Sequence, residues 1–596
     1  MFFECLDRLP ETLGDFSPAA AYGDRDRWTS LPDRWKQLLA ERAQTAGTDW
    51  PLLTASDYLE FTRNGNRTRF EAKFMERRRM LNAYALAECS EGKGRHIDRI
   101  IDGALLLCEE SGWQLPAHNT YIRDTPCLPL PDARRPVIDL FAAETGAQLA
   151  TLNWLFAAEF DRVSPFIAAR IQDEIERRII TPYLNAHFWW MGNGDEPMNN
   201  WTAWCTQNVL LATFTSATPA DVRRAVVKKA AYSLDCFLKE YGEDGACEEG
   251  VLYYRHAGLC LFNALNILSA VAPEAFAPLW QNTKIRNIAE FILFMHVDGE
   301  RYFNFNDSSA RAGRCGAREY LFGKAVGSSR LMQFAARDIA LSEAPDLPEE
   351  INLFYRLQTA MTAIDLPDTP PEMPAIPDHF FESLGLLVAR DQHFALAVKA
   401  GDNGDSHNHN DVGSFTLYKD NKPFLIDIGV ENYTAKTFSA RRYEIWTMQS
   451  GFHNLPAFDG IDQKDGVEYA ASDVAVTLKD DLAAIAMELA GAWPDTAQLR
   501  SYHRAVLFHK GQGIDIEDRF DGDRPAVLSL LFASEPQLGD ALITLPGLGE
   551  IAISGASAMR LEPLDITDSR LRAAWPARLF RVLLPLSGNT LRLAIR

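Results

Sequence analysis

The chain has 596 residues, 47% hydrophobic and 24% charged, the make-up of a globular protein with room for more than one domain. Its formal charge of −21 argues against nucleic acid or an anionic membrane as partner, and an anionic substrate would need arginine and lysine concentrated locally against that sign. The nine cysteines are odd in number and form no Cys-x-x-Cys, so buried free thiols are expected instead of a disulfide scaffold. The N-terminal run Met1-Phe2-Phe3-Glu4-Cys5-Leu6-Asp7 breaks its apolar start with acids, unlike a signal peptide, and no apolar run approaches the ~20 residues of a bilayer span. A cytoplasmic protein is expected, or a periplasmic one if a leader has been removed. The oligomeric state is not legible, a homodimer being one option.

Residues 1–365 read as helical. Arg69 to Glu88, Val137 to Phe160, Phe166 to Asn185, Asn199 to Thr215, Pro219 to Tyr241, Tyr254 to Ala272 and Ile285 to Phe294 are long, mostly glycine-free stretches with apolar residues at spacings of three and four. Thr218 is expected to cap a helix whose first residue is Pro219. Such helices, with few strands between them, imply helix pairs stacked in an arc or ring.

Three segments of this half carry chemistry. In the first, Asn199 is expected to cap the following helix, which leaves Asn200 and Trp201 in its first turn. An amide beside an indole suits a sugar, the ring stacking on CH faces and the amide gripping a carboxylate or hydroxyl. The second runs from Asp244 through Glu248 and Glu249 to Tyr253, Tyr254, Arg255 and His256, bunching phenol, guanidinium and imidazole at a helix start. The third, Phe303 to Arg314, is a polar loop whose Arg311 and Arg314 could hold anions.

Leu366 to Asp378 carries five prolines in thirteen residues and reads as a linker. Beyond it the period shortens to that of strands: Leu384 to Ala389, Phe394 to Lys399, Ala475 to Leu478, Arg504 to Phe508, Ile514 to Phe520, Val527 to Phe532 and Leu591 to Arg596, separated by Gly, Asp and Pro turns. The reading is an antiparallel β-sandwich over residues 379–596. The polar run Gly404 to Ser414 places His407 and His409 two apart. A hairpin follows, turning at Lys419-Asp420-Asn421-Lys422, with Asp427 set in its apolar second strand. A buried carboxylate there is costly unless paired. Ser450-Gly451-Phe452-His453-Asn454 adds another imidazole. Each of these residues alone could be a solvated turn or an ordinary hydrogen-bond acceptor. Together, His407, His409, Asp427 and His453 supply the donor types of a zinc site held on strands.

These motifs, SHNHNDVGSF with FLIDIG, SGFHN with Asp459-Gly460, and the upstream EEGVLYY and NNW, resemble those of the heparinase II/III-like polysaccharide lyases. The resemblance spans roughly residues 190 to 460 by motif and nearly the whole chain by element order. It implies an α+β multidomain fold, an N-terminal (α/α) toroid, which is an incomplete helical barrel, followed by a C-terminal antiparallel β-sandwich. It implies β-elimination on a uronic-acid polysaccharide or oligosaccharide, with a glycosaminoglycan such as heparan sulfate, hyaluronan or chondroitin as the leading class, leaving a 4,5-unsaturated uronate. By the same resemblance Asn200 neutralises the uronate carboxylate, Tyr253 serves as acid or as acid and base, and His407 lies near the reacting carbon. His409, Asp427 and His453 hold one structural divalent metal, zinc. Trp201, Tyr254, Arg255, His256, Arg311, Arg314, Tyr433 and Tyr443 are the candidates for binding the anionic chain.

Two departures shape the expectation. Where many relatives carry His after the Asn this chain has Trp201, so proton abstraction falls to His407 or Tyr253, and the assignment to Tyr253 can slip to Tyr254. A tyrosine base must titrate well below its usual ~10, with Arg255 and His256 as the expected tuners. The rival readings are an (α/α)-barrel glycoside hydrolase using acids among Asp244, Glu248, Glu249 and Asp307, a cupin-like metal oxygenase, and a non-catalytic sugar-binding protein.

Overall fold

The computed structural model describes residues 1–239, 241–367, 369–434 and 436–596. The chain divides into two compact units. The first comprises 1–240, 256–285 and 315–373, and the second 241–255, 286–314 and 374–596. The boundary at 373/374 falls inside the proline-rich stretch 366–378, whose Asp368 lies outside the described residues. The second unit also takes in two segments that precede that stretch, and these carry Tyr253 and Asp307.

In the first unit the helices follow the periodicity closely, and local chemistry sets their ends. Leu140–Val163 begins where the Asp139 side chain accepts from Ala142 N, and Pro165–Ile175 begins at a Ser164 cap with proline in first position. The expected single helix from Phe166 to Asn185 is interrupted by a π turn at Glu176–Ile180 before Thr181–Asn185 completes it. Asn200–Phe214 is apolar on nearly every side, which requires neighbours all round. It packs against Leu140–Val163, Ala220–Leu238 and Gly258–Val271. The last long helix, Leu353–Asp365, returns against Leu140–Val163. Thr218 does not cap Ala220–Leu238. Pro219 itself is the residue before the helix, in extended conformation with ψ 151°, so the helix starts one residue later than its sequence suggests; Glu240, near its expected end, lies outside the described residues.

In the second unit every strand pairing is antiparallel. A five-stranded sheet runs in the order His379–Phe381, Leu386–Arg390, Phe394–Lys399, Phe415–Lys419, Lys422–Leu425. An eight-stranded sheet is centred on Leu499–His509 and Gly513–Gly522, and a four-stranded sheet on Ala526–Phe532 and Arg578–Pro585. One apolar core draws inward residues from all three, among them Leu396 and Leu417, Val506 and Ile516, Leu530 and Val582. The hairpin turn has Asp420 at φ 46° and Asn421 at φ 62°, the paired left-handed geometry that a two-residue turn requires and Asx residues tolerate. One expectation needs correcting here. Asp427 does not sit within the second hairpin strand, which ends at Leu425; past that point the Ile426 amide bonds to Leu531 of another strand, which frees the 427–429 backbone to turn toward the site.

Among the described residues the nine cysteines form no disulfide; eight of them are buried and Cys127 is half-buried. Among the described residues no helix is long and apolar enough to cross a membrane.

Candidate active site

The site is built on the 400–414 connection between two paired strands of the five-stranded sheet. At its root, Lys399 is buried and its Nζ binds Asp411 Oδ1 at 2.7 Å, Asp405 Oδ2 at 3.0 Å and Asn306 Oδ1 at 3.0 Å. Burial would discharge this lysine, but Asp411 and Asp405 outweigh it and hold the ammonium above the ordinary lysine value. Gly413, at φ 90°, lets the loop return to Lys399 O, where a Cβ would strike Leu489. His407 itself adopts φ 58°, a left-handed conformation unusual for a side chain of its size and of the kind found at functional loops.

The ring of His407 lies 4.7 Å from that of Tyr253 and 6.1 Å from that of Tyr433, centroid to centroid. The Tyr253 and Tyr433 hydroxyls hydrogen-bond to each other. Two carboxylates bracket the imidazole, Asp307 Oδ2 at 2.8 Å from Nδ1 and Glu249 Oε1 at 3.3 Å from Nε2. The fully buried Asp307 is the most connected group. Its Oδ2 also accepts from Tyr433 OH (3.0 Å), its Oδ1 accepts from Arg442 Nη2 (2.7 Å) and faces His409 Nε2 (3.1 Å), and its carbonyl accepts from Arg570 Nη2 (2.9 Å). Burial would raise its carboxyl, but the bonds from His407 and His409 and the charge of Arg442 hold it well below the carboxylate range. Glu249, by contrast, is pushed up by burial. Burial, and then Tyr433, push the Tyr253 phenol up; Tyr433 itself goes to about 12 through burial and the nearby Asp307. The expectation that Tyr253 is tuned downward by Arg255 and His256 is therefore reversed, because desolvation of the phenolate dominates.

Beside this cluster lies a set suited to a metal ion. Ligand atoms of Asp411, Asp427 and His453 fall within 4.8 Å of one another, all three residues buried. Asp427 Oδ2 meets His453 Nδ1 at 2.8 Å, and its Oδ1 accepts from Gly429 N and Asn304 Nδ2. The expected third ligand, His409, lies alongside with its ring 5.5 Å from that of His453, so the grouped set differs from the expected one by Asp411 in place of His409. His409 has Nε2 turned to Asp307, which leaves its Nδ1 as the nitrogen a cation could take. Two buried imidazole nitrogens, His409 Nδ1 and His453 Nε2, have no hydrogen-bond partner, which is the chemistry a cation would complete.

The remaining predicted residues fare differently. Tyr254 is a core residue, wholly buried, with its hydroxyl on Ala289 O and its ring near Phe291. Neighbours on a helical turn point about 100° apart, so only one of the tyrosine pair can face His407, and it is Tyr253. Arg255 spends its guanidinium on the carbonyls of Ala312, Gly313 and Arg314, and so props the loop instead of presenting a free cation. Arg311 pairs with Glu300 at the surface at 3.0 Å, and Arg314, half-buried, contributes its carbonyl to Arg255. Tyr443 OH accepts from Asn408 Nδ2. Asn200, Trp201 and His256 belong to the first unit. There Asn199 caps the helix through Trp201 N as expected, Asn200 is buried, Trp201 packs between His118 and Trp189, and His256 stacks on Trp204 at 4.5 Å. Arg442, Arg570 and Lys399 were not singled out from sequence. They lie on segments with no motif of their own, and Asp307 and Glu249 were noticed only as acids for a hydrolase.

The model of one protein family, heparinase II/III-like, C-terminal, matches residues 373–580. No curated protein matches the chain by sequence. Among solved structures the chain is similar to heparinase III, with TM-score 0.61 and 14% identity over 100% of this chain and 88% of that one. It is similar to a heparan sulfate lyase HepC mutant from Pedobacter heparinus, with TM-score 0.60 and 14% identity over 100% and 87%. It is also similar to a Streptomyces coelicolor A3 chondroitin AC lyase in complex with chondroitin sulphate, with TM-score 0.52 and 13% identity over 98% and 80%. At these identities the likeness is one of fold: a helical N-terminal region followed by antiparallel sheets.

Proposed function

We propose, from the match of residues 373–580 to the heparinase II/III-like C-terminal model, that this protein is a polysaccharide lyase cleaving a uronic-acid-containing glycosaminoglycan or oligosaccharide by β-elimination. The carrying observation is the contact between Tyr253 and His407, two proton-transfer groups with rings 4.7 Å apart in one buried cluster. The reaction must take the weakly acidic C5 proton, stabilise the enolate that forms on the neighbouring carboxylate, and protonate the departing O4. Tyr253, its ring against His407 and its phenol kept protonated by burial, carries a proton for the last task and is assigned as the acid. His407 is then the base.

The hydrolase reading needs two carboxylates free to flank a glycosidic bond. Glu249 and Asp307 are instead turned onto one imidazole, and Asp244 accepts from Ser383 N and Oγ. Of the four acids that reading named, Asp307 and Asp244 are thus held by hydrogen bonds and Glu249 faces the His407 ring.

The donor set fits a structural zinc ion, with Asp427, His453 and His409 as holders; Asp411 is already committed to Lys399. A bound ion would supply a crosslink between the His409 loop, the segment after the hairpin and the His453 segment. One zinc per chain is expected on metal analysis, with chelation lowering the Tm; a metal-free protein whose melting is indifferent to chelator and zinc would remove this assignment.

The deciding experiment is a panel of heparan, hyaluronan, chondroitin and alginate polymers and oligosaccharides, followed by ultraviolet absorbance and product mass. A C4–C5 double bond conjugated to the carboxylate absorbs, and its product is lighter by one water than the hydrolytic one. New reducing ends without absorbance would restore the hydrolase, and no product from any uronate would end the lyase reading.

A further inference from the structure

Asp307 connects the groups assigned to chemistry with the groups assigned to the metal. One carboxylate oxygen, Oδ2, lies 2.8 Å from His407 Nδ1 and accepts from Tyr433 OH at 3.0 Å, the same Tyr433 whose hydroxyl bonds to Tyr253. The other, Oδ1, faces His409 Nε2 at 3.1 Å and accepts from Arg442 Nη2 at 2.7 Å. The residue is wholly buried and its backbone is pinned on both sides. Arg570 donates to its carbonyl at 2.9 Å while lying over the Tyr433 ring. The preceding Asn306, at φ 52°, bonds through its side chain to Glu248 O, Asp405 and Lys399. A carboxylate held this firmly has little freedom to follow its partners, so the partners must follow it.

We infer that Asp307 is a positioning residue for the elimination. It holds the His407 proton on Nδ1 and leaves Nε2, on the Glu249 side of the ring, as the acceptor of the substrate's C5 proton, while the same oxygen sets the Tyr433 hydroxyl that orients Tyr253. The inference rests on the lyase reading. A carboxylate is an acceptor only, so an imidazole carrying one proton must donate from Nδ1 to satisfy the 2.8 Å contact, and its lone pair is then on Nε2. The C5 proton passes to that lone pair, the electron pair left on C5 forms the C4–C5 double bond, and the C4–O bond breaks with the proton of the Tyr253 hydroxyl going to the departing oxygen. Asp307 exchanges no proton with the substrate. Glu249 Oε1 lies 3.3 Å from Nε2, on the other side of the ring from Asp307.

The test begins on the wild-type protein. With histidines labelled in the ring nitrogens, and a His407→Gln sample to assign its signals, His407 in its neutral form is expected to carry its proton on Nδ1. A neutral His407 protonated on Nε2 would overturn the inference without any further variant. Asp307→Asn, nearly isosteric but able to donate as well as accept, is then expected to lose about 10²-fold or more in kcat, with KM moving less than about threefold, and to shift the His407 nitrogens toward the other tautomer. If it keeps wild-type kcat, or if KM alone rises, Asp307 does not position the base. The Tm of the variant is read alongside, because a loss explained by unfolding would lower it, whereas a loss of orientation leaves it in place. A wild-type protein that produces no unsaturated uronate from the panel would instead sink the lyase reading itself, independently of where the His407 proton resides.

Discussion

Tyr253→Phe removes nearly all formation of the absorbing product, a drop in kcat of about 10³- to 10⁴-fold. The change deletes one oxygen from a half-buried ring and keeps the tilted ring contact with His407, so the fold and substrate binding are expected to persist. The loss falls on the step itself because no other group adjoining His407 can easily replace the donor. Tyr433, whose hydroxyl bonds that of Tyr253, is already committed to Asp307. KM is expected to hold within a few-fold, since the hydroxyl is needed as charge develops on the leaving oxygen more than in the bound ground state. A Tyr253→Phe protein with a tenth or more of wild-type turnover would transfer the acid role elsewhere, with Tyr433 the first alternative. If the variant also bound oligosaccharide normally and the wild type released no product, the non-catalytic sugar-binding reading would gain.

Arg504→Ala destabilises the second unit by about 3–5 kcal/mol. Arg504 and Asp518 stand directly opposite each other in adjacent strands, both essentially inaccessible, joined by two bonds of 2.7 Å. The remaining guanidinium nitrogen donates to Gly413 O at 2.7 Å and Asn454 O at 3.0 Å. One buried cation thus ties the eight-stranded sheet to the chain just after His409 and just after His453. Its removal strands a buried carboxylate and two carbonyls at once. The Tm is expected to fall by about 10 °C, with zinc affinity falling in parallel because both imidazole segments loosen. Replacing the pair together, Arg504→Met with Asp518→Leu, should recover much of the stability without restoring the two carbonyl bonds. An Arg504→Ala protein less than 1 kcal/mol weaker than wild type would mean that water reaches Asp518 and that this bridge does little for the site.

Much of the molecule could be anticipated residue by residue. The helix start at Asn200, the hairpin turn at Asp420-Asn421 and the strand from Phe394 follow from side-chain chemistry acting within a few positions of the chain, and the helix read from Phe166 and the strand read from Val527 each begin one residue earlier. The π turn at Glu176–Ile180 and the start at Ala220, one residue after an extended Pro219, did not follow. The same division runs through the site. His407, Tyr253, Asp427 and His453 were visible as residue types in a recognisable spacing, whereas the role of Arg255 as a loop brace was not.

What the sequence determined by itself was the order of helices and strands, the breakpoint in the proline-rich stretch, and the stock of imidazole, phenol and carboxylate from which a site could be made. Only the tertiary structure decided how that stock is spent. Asp307 and His407 are 100 positions apart, as Arg504 and Gly413 are 91. No local rule can tell whether a carboxylate so distant will flank a sugar or lock an imidazole. That outcome depends on burial, which makes an unpaired charge so costly that each buried group takes whichever partner the packing of distant segments delivers.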